Sequence, residues 1–200
     1  MLVLVGTGCE RQPEGTQVLG QPSDLVDETY DTGPLPAPGE EGPQVELTIT
    51  SGAFADGDVI PARYTPDGEN ISPPLAFSAV PEGTVELALI VHDPDAPREG
   101  GWTHWVVYGM SPDIGGLPEA LPAEGLPDGP TVVQGTNTGG EIGYMGPAPP
   151  PGQAHRYQFR LYALSERTGL EQGATHDELQ AAMLGRIIDE AMLEGLYRRD

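Results

Sequence analysis

The chain has no lysine, a single cysteine and no apolar stretch long enough to cross a bilayer, and each shortage removes a class of function. With lysine absent, all nine basic side chains are arginines, set against 31 acidic residues for a net charge of −22. Arginine suits fixed pairing, although the bias equally reflects a GC-rich genome. A field of that sign repels nucleic acid and anionic membrane surfaces at long range. Any anion that binds must therefore be captured locally. The lone thiol, Cys9, excludes an intrachain disulfide framework and a cysteine-built zinc site. The opening run Met1-Leu-Val-Leu-Val5 falls far short of the roughly 20 residues a membrane span requires. No internal repeat or heptad pattern is present. The hydrophobic fraction of 38% is low because 28 glycines and 22 prolines fill a quarter of the 200 residues, so much of the chain is turn and tail.

The first 44 residues divide in two. Residues 1–9, small and apolar and ending at Cys9, read as the tail of a bacterial lipoprotein signal without its cationic start, with Cys9 as the lipid-bearing residue. That reading places the protein outside the cytoplasm on a lipid anchor. The competing one is a misassigned start codon and a stray thiol on a cytoplasmic protein. Residues 10–44 are acidic, rich in proline and glycine and nearly free of periodic hydrophobics, which predicts a disordered tether.

The folded part is expected over residues 45–200. Val45, Leu47 and Ile49 alternate with polar residues at the strand period, and further strands are predicted at 59–64, 85–92, 102–110, 131–134 and 155–164. Many short strands joined by long irregular links imply a mostly β protein built as a sandwich. The end differs. Thr175-His-Asp-Glu178 is a capping box, and Leu179, Met183, Leu184, Ile187, Ile188 and Met192 fall on one helical stripe, predicting a C-terminal helix that reaches toward Gly195.

Three segments carry chemistry. In Asp93-Pro-Asp-Ala-Pro97 each proline fixes its own φ and pushes the preceding residue out of the helical region, so Asp93 and Asp95 are aimed rather than floppy. The plain alternative is a turn in which both aspartates cap backbone N–H groups. The strand after it puts Trp102, His104, Val106 and Tyr108 on one face by alternation, where His104 is either a satisfied core histidine or a functional one beside the carboxylate loop. The third segment, 143–152, is so dense in glycine and proline that its backbone must be shaped for a purpose, and it feeds His155 and Tyr157, which share a face. Backbone N–H groups, two imidazoles and a phenol make a concavity suited to a small oxyanion such as a phosphate ester. The carboxylates then orient the histidines or meet a cationic end of the ligand.

Asp93-Pro-Asp-Ala-Pro97, His104-Trp105, and the spaced pattern of Gly135, Asn137, Gly143-Tyr144, Gly146-Pro147, Pro149-Pro150, Gly152 and His155-Arg-Tyr157 together resemble the signature of the phosphatidylethanolamine-binding proteins, in particular their bacterial YbhB/YbcL-type branch. Asn70-Ile-Ser-Pro-Pro74 and Gly185-Arg-Ile187 fit the same pattern. The resemblance spans residues 45–200 and leaves the tether unexplained. It implies a two-sheet, Greek-key-like β-sandwich with a C-terminal helix and an anion pocket for phosphate esters or phospholipid head groups. Carried over position by position, the ligand-binding residues are Asp93, Asp95, Pro97, His104, Tyr144, Gly146, Pro147, Pro149, His155 and Tyr157. It also implies no metal, no cofactor, a homodimer, and a protein partner such as a kinase or protease that the bound ligand regulates. Two departures stand out. Gly109-Met-Ser-Pro112 replaces the branch's usual Asn-Ile-Pro after the His-Trp strand, and Ala148 stands where many relatives carry cysteine.

The expected function is therefore non-catalytic binding of a small anionic ligand. A hydrolase using a His/Asp pair in the same pocket is the alternative, although no nucleophile motif accompanies the pair. A surface lipoprotein of structural role is the third reading.

Overall fold

Ten residues, His155–Leu164, run as a strand buried at nearly every second position or better, and the rest of the larger sheet is assembled around them. The computed structural model describes residues 46–200. The expectations for residues 1–9, the lipidation of Cys9 and the tether of 10–44 lie outside the described residues.

In chain order the elements are β1 (Thr48–Ser51), a 3-10 turn (Ala62–Tyr64), β2 (Leu75–Ser78), β3 (Glu86–Asp93), β4 (Trp102–Met110), β5 (Gly116–Leu117), β6 (Val133–Gln134), β7 (His155–Leu164), α1 (His176–Met183) and β8 (Ile187–Tyr197). They form two antiparallel sheets, β1-β2-β5 and β6-β4-β3-β7-β8. Mostly β, with two sheets and one C-terminal helix, this is the fold class that the strand pattern and the resemblance imply.

The core lies between the sheets. Leu87, Leu89 and Val91 of β3, Trp105 and Val107 of β4 and Phe159 and Leu161 of β7 pack on Ile49, Leu75, Phe77 and Leu117 of the smaller sheet. The opposite face of the larger sheet is also covered. Ala88, Ile90, Val106, Tyr108, Tyr162 and Leu164 lie under Leu179 and Met183 of α1. Burial on both faces is why β3 reads as a nearly unbroken apolar run rather than an alternating one.

Three local expectations differ from the structure. The helix begins as its capping box dictates, with Thr175 Oγ1 accepting from Glu178 N and Glu178 reaching back to Thr175 N. It ends at Met183 instead of continuing to Gly195. Leu184 leaves helical geometry at ψ 124° and Gly185 adopts φ +74°, a left-handed stop that glycine takes without strain. Residues Ile187–Tyr197 then pair antiparallel with β7, from Ile187 opposite Leu164 to Tyr197 opposite His155. The stripe of Ile187, Ile188 and Met192 is left exposed, while Leu193, Gly195 and Tyr197 turn inward with strand period. Gly195 is required there because a Cβ would stand 2.5 Å from Ile60 Cγ1.

The predicted strand over 59–64 is reduced to one parallel bridge from Val59 to Leu196 before Pro61 turns the chain into the 3-10 segment. The strand predicted at 131–134 shortens to Val133–Gln134. Two short strands, β2 and β5, lie outside the predicted ones; β2 nonetheless buries Leu75 and Phe77 and exposes Ala76 and Ser78 at the strand period.

Candidate functional site

Asp93 closes β3, and His155 opens the neighbouring β7, so the loops at that end of the sheet converge on one cavity. It measures about 260 Å³ and is lined by Asp93, His104, His155 and Tyr157 among walls of Pro97, Trp102, Met145, Pro149 and Pro150. The carbon walls are what the prolines provide. They have no N–H to satisfy and little freedom to collapse into the space.

The β3–β4 loop is built on the first aspartate. Asp93 Oδ1 accepts from Asp95 N at 2.8 Å, the Asx-type turn that a carboxylate beside proline favours. Its other oxygen, Oδ2, accepts from His155 Nδ1 at 2.8 Å, with only 5% and 4% of the two side chains exposed. A carboxylate accepts only, so Nδ1 bears the proton and Nε2 is the nitrogen that His155 offers the cavity.

Asp95 faces elsewhere. Its carboxylate holds Arg156 bidentately, at 2.7 Å to Nη2 and 2.9 Å to Nε, and accepts from Arg156 N at 2.9 Å. These charge-assisted bonds hold Asp95 down to about 2. It is absent from the cavity wall, so of the two roles foreseen for the carboxylates it serves orientation. By clamping Arg156 it fixes the start of β7 and the ring of His155 next to it.

His104 arrives by a bulge. Val91 pairs with Trp105 and His92 pairs with Thr103, one step on β3 against two on β4, which leaves His104 as the extra residue. Simple alternation would place His104 on the face of Val106 and Tyr108, under α1. The bulge instead turns its ring edge-on to Tyr157, with centroids 5.1 Å apart and planes at 80°. His104 Nδ1 donates to Met145 O at 2.8 Å while Met145 N donates back to His104 O at 2.9 Å. Nε2 is again the free nitrogen. Burial pushes this imidazole below its ordinary value, so it stands neutral at pH 7.

Tyr157 is fully buried, and its hydroxyl has no hydrogen-bond partner of acceptable geometry among the described residues. Burial raises the phenol, first by desolvation and then through Asp93, so the group is a permanent O–H donor. An unmet donor of this kind costs about 1–3 kcal/mol.

The segment 143–152 shapes the rim. Gly146 passes so near Tyr64 O and Asn70 Oδ1 that a Cβ would stand 2.6 Å from the latter, while Gly146 N donates to that same oxygen at 3.0 Å. Gly146 and Pro147 thus set the loop's path without lining the cavity. Tyr144 donates to Tyr64 O at 2.8 Å and packs edge-on to Trp105, bracing the loop from behind. Of the ten predicted positions, Asp93, Pro97, His104, Pro149, His155 and Tyr157 line the cavity, and Asp95, Tyr144, Gly146 and Pro147 support it. Trp102 and Met145 line it as well. Trp102 had a signal, its nearness to His104 in the strand, whereas Met145 had none.

Among the described residues no three side chains of metal-ligating type cluster, and no serine, threonine or cysteine lines the cavity. What the arrangement presents is two imidazole nitrogens and one phenolic donor, held rigidly in a mainly apolar recess.

Residues 50–198 match the family model for phosphatidylethanolamine-binding protein. The chain belongs to the phosphatidylethanolamine-binding protein family. A UPF0098 protein of Methanothermobacter thermautotrophicus is 52% identical over 154 residues, covering 76% of this chain and 99% of the relative. A UPF0098 protein of Chlamydia trachomatis is 46% identical, covering 77% and 100%. Among solved structures, a phosphatidylethanolamine-binding protein homolog from Chlamydia trachomatis aligns with a TM-score of 0.71 at 45% identity, over 78% of this chain and 99% of that one. YbcL of E. coli, described as a member of the mammalian family, aligns with a TM-score of 0.72 at 31% identity over the same shares. Membership in the phosphatidylethanolamine-binding family makes this a binding-protein fold, and its rigid end is where the cavity sits.

Proposed function

We propose that the protein is a non-catalytic receptor for a small oxyanion, a phosphate ester or phospholipid head group, bound between His104 and His155. The observation that carries this reading is the unmet hydroxyl of Tyr157, a residue that lines the same cavity as His104 and His155, whose Nδ1 atoms are both engaged elsewhere. One phenolic donor and two imidazoles, either of which becomes a donor at Nε2 when protonated, suit the acceptor oxygens of a phosphate, three or more, or the two of a carboxylate.

Few charges set the electrostatics. Asp93 contributes a buried carboxylate, Arg156 is bound to Asp95, and Arg98 lies over the ring of Trp102. Among the described residues no guanidinium lines the cavity itself, so protonation of an imidazole is what would offset a bound anion's charge. Occupancy that alters the rim, and through it the docking of a partner protein, would make the receptor a regulator.

Titration of the protein with phosphate, phosphorylethanolamine and acetate, followed by tryptophan fluorescence from Trp102 in the wall, tests the reading. Saturable binding that is lost in His155→Ala supports it. Absence of binding by all three ligands overturns it. Turnover of phosphate or carboxylic esters abolished by His104→Ala would replace it with a hydrolase.

A further inference from the structure

On the far side of β3 and β4 from the cavity, one buried hydroxyl is shared by two histidines. Thr103 Oγ1 lies 2.9 Å from His176 Nδ1 and 3.3 Å from His92 Nδ1, and the two rings stand 5.4 Å apart between centroids. Each member comes from a different element. His92 is on β3, Thr103 on β4, and His176 is the first residue of α1.

A threonine hydroxyl has one proton to donate. While at least one imidazole is neutral, Thr103 donates to that ring's bare Nδ1 and accepts Nδ1–H from the other, so every partner is satisfied. When both rings are protonated, both Nδ1–H groups point at the same oxygen and the hydroxyl proton has nowhere to go. Thr103 is only 3% exposed, so water cannot readily accept it.

We propose that His92, Thr103 and His176 form a proton-operated latch that holds the first turn of α1 on the sheet while at most one ring is charged and releases it when both are.

The surroundings act in the same sense. Arg160 on β7 opposes charge on His92, and the start of α1, where N–H groups point outward, opposes charge on His176. Asp93 beside His92 and Asp177 beside His176 act the other way. Arg98 and Glu99 of the β3–β4 loop share the cleft of His176 and offset one another, while Tyr162 and Gln158 flank His92 without charge. Desolvation is the largest influence on both rings and pushes both below the ordinary histidine value. Gly101 leaves the room that the His92 ring occupies, since a Cβ there would stand 2.5 Å from its Nε2.

The signs are consistent. A ring whose value is depressed when docked contributes docking strength at neutral pH, and that strength is lost as pH falls through the docked value. Thr103 precedes His104, and His92 precedes Asp93, so release at the back of these strands acts directly on residues of the front cavity. The latch itself does not depend on what that cavity binds.

Hydrogen exchange of the α1 amides in the full chain, corrected for the intrinsic pH dependence of exchange, tests the latch between about pH 7.5 and 5, the range in which histidine titrates. Protection in the wild type should fall by about tenfold across that range. In His176→Gln and in His92→Gln, each keeping a hydrogen-bonding side chain without a second ionisable ring, the fall should be clearly smaller than in the wild type, since only the burial of one remaining ring is left to respond. Level protection in the wild type overturns the latch. A fall of the full wild-type size in His92→Gln also overturns it, because the response would then belong to His176 and the helix terminus alone.

Discussion

Asp93 Oδ2 and His155 Nδ1 meet at 2.8 Å with both side chains almost wholly buried, and this pair joins the end of β3 to the start of β7 at the base of the cavity. A buried hydrogen bond to a charged group is worth more when one partner is removed than when it is formed, because the survivor keeps its desolvation cost. Replacing Asp93 by alanine strands His155 Nδ1–H and also the Asp95 amide that Oδ1 accepts. Asp93→Ala should lower the unfolding free energy by about 1–3 kcal/mol in a denaturant titration. It should also weaken phosphate binding by freeing the ring. Unchanged stability would show that the pair is not a structural tie.

Tyr157 makes the opposite prediction. Its hydroxyl is buried without a partner, so Tyr157→Phe removes an unmet donor and almost nothing else. Thermal stability should stay level or rise, while anion affinity falls. A binding site retained at the cost of stability behaves in this way. Loss of stability in Tyr157→Phe would mean that the hydroxyl has a structural partner, and the case for a ligand would weaken with it.

Asp95 gives a pH signature distinct from both. Its carboxyl stands at about 2 when paired with Arg156, against an ordinary value of 3.8. A depressed carboxyl stabilises the fold above the ordinary value, and that contribution is lost as pH falls from about 4 toward 2. The melting temperature of Asp95→Asn should lie below wild type by a constant margin above pH 4, and the margin should close between pH 4 and 2. The effect is small because about half of the Arg156 side chain is exposed and solvent screens the pair. A margin that persists at pH 2 would assign the loss to packing rather than charge.

These sites differ in how far the sequence revealed them. The cavity's histidines and Asp93 were legible because prolines and glycines frame them on both sides, and β3, β4 and β7 because their apolar runs are long. The bulge at His104 was not, since alternation assigns a face by counting and one extra residue reverses the count. Asp95 appeared to belong to the pocket because its partner Arg156 lies 61 positions away and only the folded chain joins them. The C-terminal stripe of Ile187, Ile188 and Met192 satisfies a helical period, whereas Leu193 and Tyr197 keep the strand period by which the folded chain buries this segment. Gly185 was the sole local cue that the helix stops, and β7 needed an edge partner that sequence alone does not show.

His104 supplies the last prediction. Its Nδ1 is committed to Met145 O, burial is the chief reason its imidazole stays neutral, and Nε2 is the nitrogen left free on a ring that lines the cavity. A neutral Nε2 offers a lone pair to the anion, whereas a protonated one donates to it. Binding therefore favours the cation and raises the His104 value from its depressed position in the free protein. Affinity must then increase as pH falls through the value in the complex and level off below the value in the free protein. Sulfate is the appropriate probe because it does not itself titrate between pH 5 and 8. Calorimetric titrations at fixed pH in two buffers of different ionisation enthalpy should report proton uptake approaching one per sulfate near neutral pH, and His104→Gln should abolish it. Sulfate binding with no proton uptake in the wild type would show that His104 stays neutral in the complex and that Tyr157 and His155 carry the anion alone.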